Sequence, residues 1–518
     1  MICVTVARTR HKSTIAEYHE LAAKGVELVE LRLDYIARTV SLTRLLEKRP
    51  CPVIATCRRR EDGGRWMGTE EERQMLLRAA IVAGVDYVDL EWDIAGSVPR
   101  YGKAKRIISY HNFEETPGNL PDLYRRLSEL DPDVVKIATQ ANCVNDWFRM
   151  LDMLANAESP TIGLCMGDIG APTRLLAGKF GAPFSYAASG KDRQAAPGQI
   201  FWEQMRGLYR YEKIDAETQL YGVVADPVAH SLSPLIHNTA FAKQELNACY
   251  LPFRVTPDDL ERFIDAAPKI GIRGLSVTIP HKETVMPFLS QMEAAADGIG
   301  AVNTIVFDGN RRIGYNTDYR AAMESLATSL EVSLDSDRPF KGRRCLILGS
   351  GGVSRAIGWG LREKGAEVLI AGRTSLRASR LAVAINATHV EWERRHDVRC
   401  EIIINGTPMG MHPNLDSTPF EGSYLIPGMT VFETIYNPEQ TLLLKNAIRA
   451  GCQIISGVDM FVRQATYQYR LFTGMEPPRD LMRYTLKRAT SPVRYQYLED
   501  EPQPEPKSES EPLVDGES

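Results

Sequence analysis

Along the first 200 or so residues one rhythm repeats: a short β-branched apolar run, then a longer amphipathic stretch. The runs fall at 2–6, 28–33, 53–57, 87–91, 106–111, 134–138, 161–165 and 184–187. Short apolar runs of this kind suit strands covered on both faces. Eight such strands alternating with helical segments predict a (β/α)8 barrel, whose reactive residues gather where the strands end. The polar residues that close the runs are therefore the first candidates for chemistry.

A second unit opens at 219–224, behind the charged stretch 209–217, with strand-like runs at 248–255, 274–279 and 302–307. A third begins at 343–348 and leads directly into a glycine cluster. Past Tyr484 the apolar periodicity is lost, and 499–518, rich in Glu, Pro and Ser, reads as disordered. A length of 518 residues fits two or three domains.

Charge adds little but an exclusion. The net charge is −4, yet from Glu499 onward eight acidic residues face one Lys. The remainder is slightly basic, without the concentrated block that grips nucleic acid, so none is expected as a partner. Nine scattered cysteines without a CxxC pair fit reduced thiols in a cytoplasmic protein. Residues 2–6 alternate from the start, with no charged leader and no long apolar segment, so neither a targeting peptide nor a membrane span is expected. The first unit's histidines, His11, His19 and His111, lack metal-ligand spacing, and no metal is expected. No motif speaks to the oligomeric state.

Lys136 sits inside Val134-Val135-Lys136-Ile137-Ala138, and His111 ends Ile107-Ile108-Ser109-Tyr110-His111. On an edge strand the lysine would simply face water, and the histidine could be a polar cap. In a buried parallel strand, desolvation makes an amine nucleophilic toward a carbonyl. Together at one barrel mouth, the pair suggests imine formation with proton transfer. Anion recognition is expected from Arg32, Arg58 and Arg174. Alternation puts Glu30, Arg32 and Asp34 on one strand face, where inward charges must pair with one another or with a ligand.

The motifs ExRxD at 30–34, SxHxF at 109–113, VVKIA around Lys136 and APGQ at 196–199 resemble type I 3-dehydroquinate dehydratase, in that family's order. The resemblance implies a Schiff base between Lys136 and the C3 ketone of 3-dehydroquinate. It implies His111 as proton shuttle for syn loss of water and Arg174 as the carboxylate ligand. Glu30, Arg58, Met166 and Gln199 would line the pocket. Two positions depart from the family: Asp62 stands where a Glu thought to orient the histidine is usual, and Ala195 stands where Ser is usual.

In the second unit, Ser231 and Ser233 flank a Leu, and Ser233-Pro234 could equally cap a helix. The run 274–279 ends in Pro280-His281-Lys282, and Asp318 lies in a turn where an Asx cap is the bland alternative. Gly349-Ser350-Gly351-Gly352 follows a β-run and precedes a helical pattern, the context of a dinucleotide fingerprint. Where NAD enzymes place an acid on the ribose, this chain has Arg373-Thr374 and then Arg377, which favours the 2′-phosphate of NADP.

HSxSPxxHN, VTxPxK, AVNT, GxNTD, GxGGxxxA, NGTPMGM and GVDMFVxQ together resemble shikimate dehydrogenase over residues 219–485. The resemblance implies Lys282 and Asp318 as the catalytic pair. Ser231, Ser233, Thr278, Asn303, Tyr436 and Gln464 would hold 3-dehydroshikimate or shikimate. Gly349, Gly351, Gly352, Ala356, Arg373, Thr374, Arg377, Gly457 and Met460 would lie toward NADP(H). Departures are Ala225-Asp226, Ala321, Gly372 and Glu433.

The expected architecture is α/β: an N-terminal (β/α)8 barrel, then a two-lobed α/β dehydrogenase with a Rossmann NADP-binding domain. Its limits are the barrel at 1–212, the substrate domain at 219–320 completed by about 456–486, the NADP domain at 321–455 and an acidic tail at 487–518. A non-catalytic metabolite sensor built from the same domains, and quinate as the redox substrate, are the competing readings.

Overall fold

The computed structural model describes residues 1–190 and 193–491, so the stretch 499–518 expected to be disordered lies outside the described residues. All eight predicted barrel runs are parallel strands: β1 (Ile2–Val6), β2 (Leu28–Arg32), β3 (Val53–Thr56), β4 (Tyr87–Glu91), β5 (Lys105–Asn112), β6 (Val134–Gln140), β7 (Thr161–Met166) and β8 (Ser185–Ala188). Their order is β7-β6-β5-β4-β3-β2-β1-β8.

Two features depart from an ideal ring. Among the described residues no pairing joins β7 to β8, and loops take up amides in and just past β7. Cys165 N–H donates to Thr173 Oγ1 at 2.9 Å, and Gly167 N–H donates to Pro197 O at 3.4 Å. In addition, β4 reaches β5 without a helix, through a segment broken by Gly96, Pro99 and Gly102.

Register decides what the barrel holds. Thr5 pairs with Glu30, Glu91 with Ser109, and Ser109 with Lys136, so alternation turns these residues inward with Arg32, Asp89 and His111. Two residues earlier on the same faces stand Cys3, Leu28, Ile54, Ile107, Val134 and Ile162, in one apolar cluster. The interior is apolar toward the strand starts and charged toward their ends.

The second sheet holds β9 (Gln219–Ala225), β10 (Ala248–Arg254), β11 (Ile272–Val277), β12 (Gln291–Met292), β13 (Thr304–Asp308) and β14 (Arg311–Tyr315). Its order is β10-β9-β11-β13-β14-β12, with β13 antiparallel to both neighbours. The run expected to reach 279 leaves the sheet at Val277, before Pro280, which has no N–H to give a ladder.

The third sheet holds β15 (Arg344–Leu348), β16 (Glu367–Ala371), β17 (Thr388–Val390), β18 (Ile402–Asn405), β19 (Thr430–Glu433) and β20 (Gln453–Ile455), all parallel. Its order β17-β16-β15-β18-β19-β20 reverses direction between β15 and β18, where such folds bind dinucleotides. One helix, Thr317–Leu330, carries the chain from the second sheet to the third, and helix Gly457–Thr473 returns to pack on β11 and β13. The last described helix, Arg479–Thr490, continues past Tyr484 into the segment expected to be tail.

Barrel and second sheet share an aromatic contact. Trp147, on barrel helix Val144–Ala155, stacks 6.1 Å from Phe253, which lies 5.2 Å from Phe263; all three are buried. Nearby, Val144 N–H donates to Asp259 Oδ2 at 3.2 Å. Arg254 reaches Asp226 at 2.9 Å and Asp168 of the barrel at 3.3 Å, which gives the unusual Asp226 a partner. Among the described residues no helix is long and apolar enough to cross a membrane.

Candidate active sites

In the barrel, Lys136 and His111 come from adjacent strands, and both line one pocket with Glu30, Met166, Arg174 and Gln199. The expected apolar surroundings of the lysine are only partly present. Its Nζ bonds Asp89 Oδ2 at 2.9 Å, lies 3.9 Å from Glu30 Oε1 and sits 4.2 Å above the Tyr186 ring. Burial pushes the Asp89 carboxyl up, but Arg58 and Lys136 outweigh it and hold the group well below the usual carboxylate range.

His111 is held well below its ordinary pKa by burial first, then by the positive charges of Arg58 and Lys136. A neutral imidazole able to accept a proton is the result. Its Nδ1 is buried without a hydrogen-bond partner. Asp62, which stands where an orienting Glu is usual in the family, takes the Arg59 guanidinium. Asp62 still lines the pocket.

The three arginines divide sharply. Arg32 is gripped by both carboxylate oxygens of Asp34, at 2.9 and 2.8 Å. Arg58 is committed to Asp89 at 2.8 Å and Glu91 at 2.7 Å, with Ser109 Oγ at 3.0 Å. Both guanidinium charges are thus compensated within the protein, and both still line the pocket. Of the three, Arg174 has no carboxylate partner among the described residues, only Pro197 O at 3.2 Å, with Nε buried and unpaired. Burial lowers its pKa to about 10. A buried cation lacking an anion is a built receptor for one.

Glu30 accepts from Thr5 and Thr56, both at 2.9 Å. Gln199 accepts from Ala195 N–H at 2.9 Å and reaches Thr5 Oγ1 at 3.3 Å, so the loop carrying Ala195 is fixed by its backbone.

The second cavity, about 410 Å³, opens where β9 and β11 end opposite the helix that follows β15. Lys282 Nζ meets Asp318 Oδ2 at 2.6 Å, both side chains mostly buried. Asp318 is in the first turn of its helix, whose cap is Asn316 rather than Asp318 itself. Ser231, Ser233, Thr278 and Tyr436 face this cavity. Ser231 Oγ accepts from Ser233 N–H at 3.3 Å, a capping-type bond within the pair. Asn303 accepts from Thr317 N–H at 2.7 Å and donates to Thr317 Oγ1 at 2.9 Å; Gln464 lies 3.5 Å from that hydroxyl. Behind them Tyr250, Ser276 and Gln468 form a buried chain at 2.6 and 2.8 Å, with Gln468 donating to Thr304 at 3.0 Å.

The glycine turn fits a dinucleotide. Gly349 has φ +112°, and a Cβ there would come within 2.7 Å of Gly406 O. Gly351 caps helix Gly352–Glu363 and has open space around it, so the first helical amides can face phosphate. Arg373, Thr374 and Arg377 are exposed past β16, and among the described residues neither guanidinium has an acidic partner. Two of the cofactor-side positions have packing roles of their own. Ala356 is buried with Ile299 and Ala301, as helix packing. Gly457 lets its backbone approach Ile435, whose carbonyl oxygen would lie 2.0 Å from an added Cβ. Met460 is buried at the cavity wall.

Glu433 is more than loop variation. It is fully buried at the end of β19 and accepts from Asn405 Nδ2 at 2.9 Å, Ile435 N–H at 3.0 Å and Thr441 Oγ1 at 2.7 Å. Burial pushes its carboxyl up to about 7. A raised carboxyl contributes stability that is complete below its unfolded pKa and fades as pH rises through the folded one. Glu433→Gln should therefore gain on the order of 1–3 kcal/mol relative to the parent between pH 5 and pH 8. Chemical denaturation at the two pH values measures this; an equal difference at both would refute it.

Residues missed in the sequence include Asp89, Glu91, Tyr186, Thr317 and Gln468. The first two carried a readable signal, two acids alternating on one face of a buried strand.

The family model of type I 3-dehydroquinase matches residues 2–216. The shikimate dehydrogenase substrate binding domain matches 223–305, and the shikimate 5′-dehydrogenase C-terminal domain matches 457–487. The chloroplastic bifunctional 3-dehydroquinate dehydratase/shikimate dehydrogenase of Arabidopsis thaliana is 35% identical over 504 residues, 93% of this chain and 83% of that protein. The NADP(+) shikimate dehydrogenase of Caldanaerobacter subterraneus subsp. tengcongensis is 39% identical over 272 residues, 51% of this chain and 94% of its own. A crystal structure of shikimate dehydrogenase in complex with NADP+ superposes with TM-score 0.50 at 35% identity, covering 54% of this chain and 98% of that one. With one relative matched across both halves, the chain belongs to the bifunctional 3-dehydroquinate dehydratase/shikimate dehydrogenase family.

Proposed function

We propose that the barrel pocket dehydrates 3-dehydroquinate and that the cavity between the second and third sheets reduces the product. The chain is a bifunctional shikimate-pathway enzyme, a lyase and an NADP-dependent oxidoreductase. What carries the residue assignments is one coincidence: a buried lysine, a neutral histidine and an arginine with no acidic partner among the described residues, in a single pocket.

In the barrel, Lys136 Nζ adds to the C3 carbonyl and water leaves, giving an imine that drains electrons from C2. His111 takes the C2 proton and returns it to the departing C1 hydroxyl, so one base serves both steps. Hydrolysis frees the lysine and the enone acid. Arg174 holds the carboxylate as a fork. Arg174→Met should lower dehydratase kcat/KM about 10- to 100-fold, mostly through KM. An unchanged KM would remove Arg174 from this role.

In the other site, bound NADPH supplies the hydride. Lys282 stabilises the reacting oxygen and delivers its proton, while Asp318 fixes the ammonium. Ser231, Ser233, Asn303, Tyr436 and Gln464 hold carboxylate and ring hydroxyls. Arg373 and Arg377 receive the 2′-phosphate, supported by their lack of acidic partners. Initial rates with shikimate and quinate, each with NADP and NAD, test this: the expected preference is shikimate with NADP, and quinate with NAD would overturn it. We place the units at 1–212, 219–320 with 456–486, and 321–455. A reducing compartment such as the cytoplasm suits nine cysteines that are all unpaired.

A further inference from the structure

A file of alternating charges leads from the barrel surface to the reactive lysine. Glu70, half exposed on helix Glu70–Val82, bonds Arg73 at 2.7 Å. Arg73 bonds Glu91 at 2.7 Å, Glu91 bonds Arg58 at 2.7 Å, and Arg58 bonds Asp89 at 2.8 Å. Asp89 then bonds Lys136 at 2.9 Å. Arg73 is completely buried, and Glu91, Arg58 and Asp89 nearly so.

Burying so many charges is costly, and packed apolar side chains would stabilise the fold at least as well. What alternation supplies is geometry. Glu91 splits its two oxygens between Arg73 and Arg58, Oε2 to the first and Oε1 to the second. Arg58 in turn splits its two Nη groups between Glu91 and Asp89. How hard Arg58 pulls on Asp89 therefore depends on how well Arg73 satisfies Glu91. Asp89, in turn, is the group nearest the lysine ammonium.

We propose that Arg73, which lies outside the lining of the barrel pocket, is a positioning residue for the dehydratase that acts on Lys136 through Glu91, Arg58 and Asp89. The inference rests on Lys136 being the imine-forming residue. Without Arg73, Glu91 would draw Arg58 toward itself and leave Asp89 to the lysine and the Ser109 hydroxyl. The ammonium would be gripped harder, and its nitrogen would be less available for attack. Without the charge of Glu91, Arg58 would turn wholly to Asp89 and the ammonium would be released more easily. The two changes have opposite signs, which a merely structural role does not produce.

Other groups face these two residues. Around Lys136 stand Glu30 on β2, His111 on β5, Tyr186 on β8 and, in the same interior, Cys3 on β1 and Arg32. Arg73 is faced by Glu70 and by Cys57, whose carbonyl accepts from it at 2.7 Å. None of these changes in the variants below.

The test uses the full-length enzyme, whose shikimate oxidation reports the fold of the same molecules. For Arg73→Met the acid limb of the dehydratase kcat/KM profile should rise by about half to one pH unit, and activity at pH 7 should fall about 5- to 10-fold. Arg73→Lys should recover most of this, and Glu91→Gln should move the limb the other way. Shikimate oxidation should stay within about twofold throughout. Unmoved limbs, or limbs moving in the same direction in both variants, would overturn the proposal. If Arg73→Met fails to fold, Glu91→Gln and Arg73→Lys still decide it by the sign of the shift. Absence of any borohydride-trapped adduct on Lys136 in the parent enzyme would instead remove the reading beneath it.

Discussion

Lys136→Ala should abolish dehydration of 3-dehydroquinate, lowering kcat by on the order of 10⁴-fold or more, while shikimate oxidation stays within about twofold. Ala offers no nucleophile, so the C2 proton loses the imine that makes it acidic. His111 and Arg174 remain, and substrate should still bind. The fold should tolerate the change, because Asp89 keeps Arg58 at 2.8 Å and Ser109 Oγ at 2.6 Å after the amine is gone. Borohydride reduction in the presence of substrate gives a direct readout. The parent should gain a covalent mass on the peptide bearing Lys136, and the variant none. An adduct on another lysine would sink the assignment.

Lys282→Ala should do the reverse, cutting shikimate oxidation by about 10³- to 10⁴-fold with dehydration intact. The reacting oxygen would lose both its electrostatic partner and its proton source. The 2.6 Å bond to Asp318 would also vanish, leaving that carboxylate mostly buried without its cation. Some loss of stability is therefore expected, and the dehydratase rate of the same preparation separates it from lost chemistry. If either lysine variant removed both activities in folded protein, the two sites could not be independent.

Much of this was legible in the chain. The eight barrel strands follow from β-branched runs, since a strand buried on both faces must be apolar almost throughout. The same rule exposed Lys136, a charge that such a run does not tolerate idly. What stayed hidden depends on partners distant in sequence. Arg32, Arg58 and Arg174 look alike as letters, and only the fold shows Asp34 and Asp89 pairing with the first two while Arg174 meets no acid among the described residues. Asp62 looked like an orienting acid, yet Arg59, three residues earlier, competes for it. Gly457 was read only for its motif, and the fold adds that its missing side chain makes room for the Ile435 backbone. Glu433 passed as loop variation because nothing local reveals that Asn405 and Thr441 converge on it.

The aromatic stack of Trp147, Phe253 and Phe263 bears on how this gene can be dissected. Cutting the chain near 217 would give two pieces, each with a catalytic constellation complete on paper. Each would also carry a raw face: Trp147 on one, Phe253 and Phe263 on the other, all made to be dry. Such pieces should need detergent, low temperature or each other to remain in solution. Mixed together, they should reassociate across that face and regain solubility.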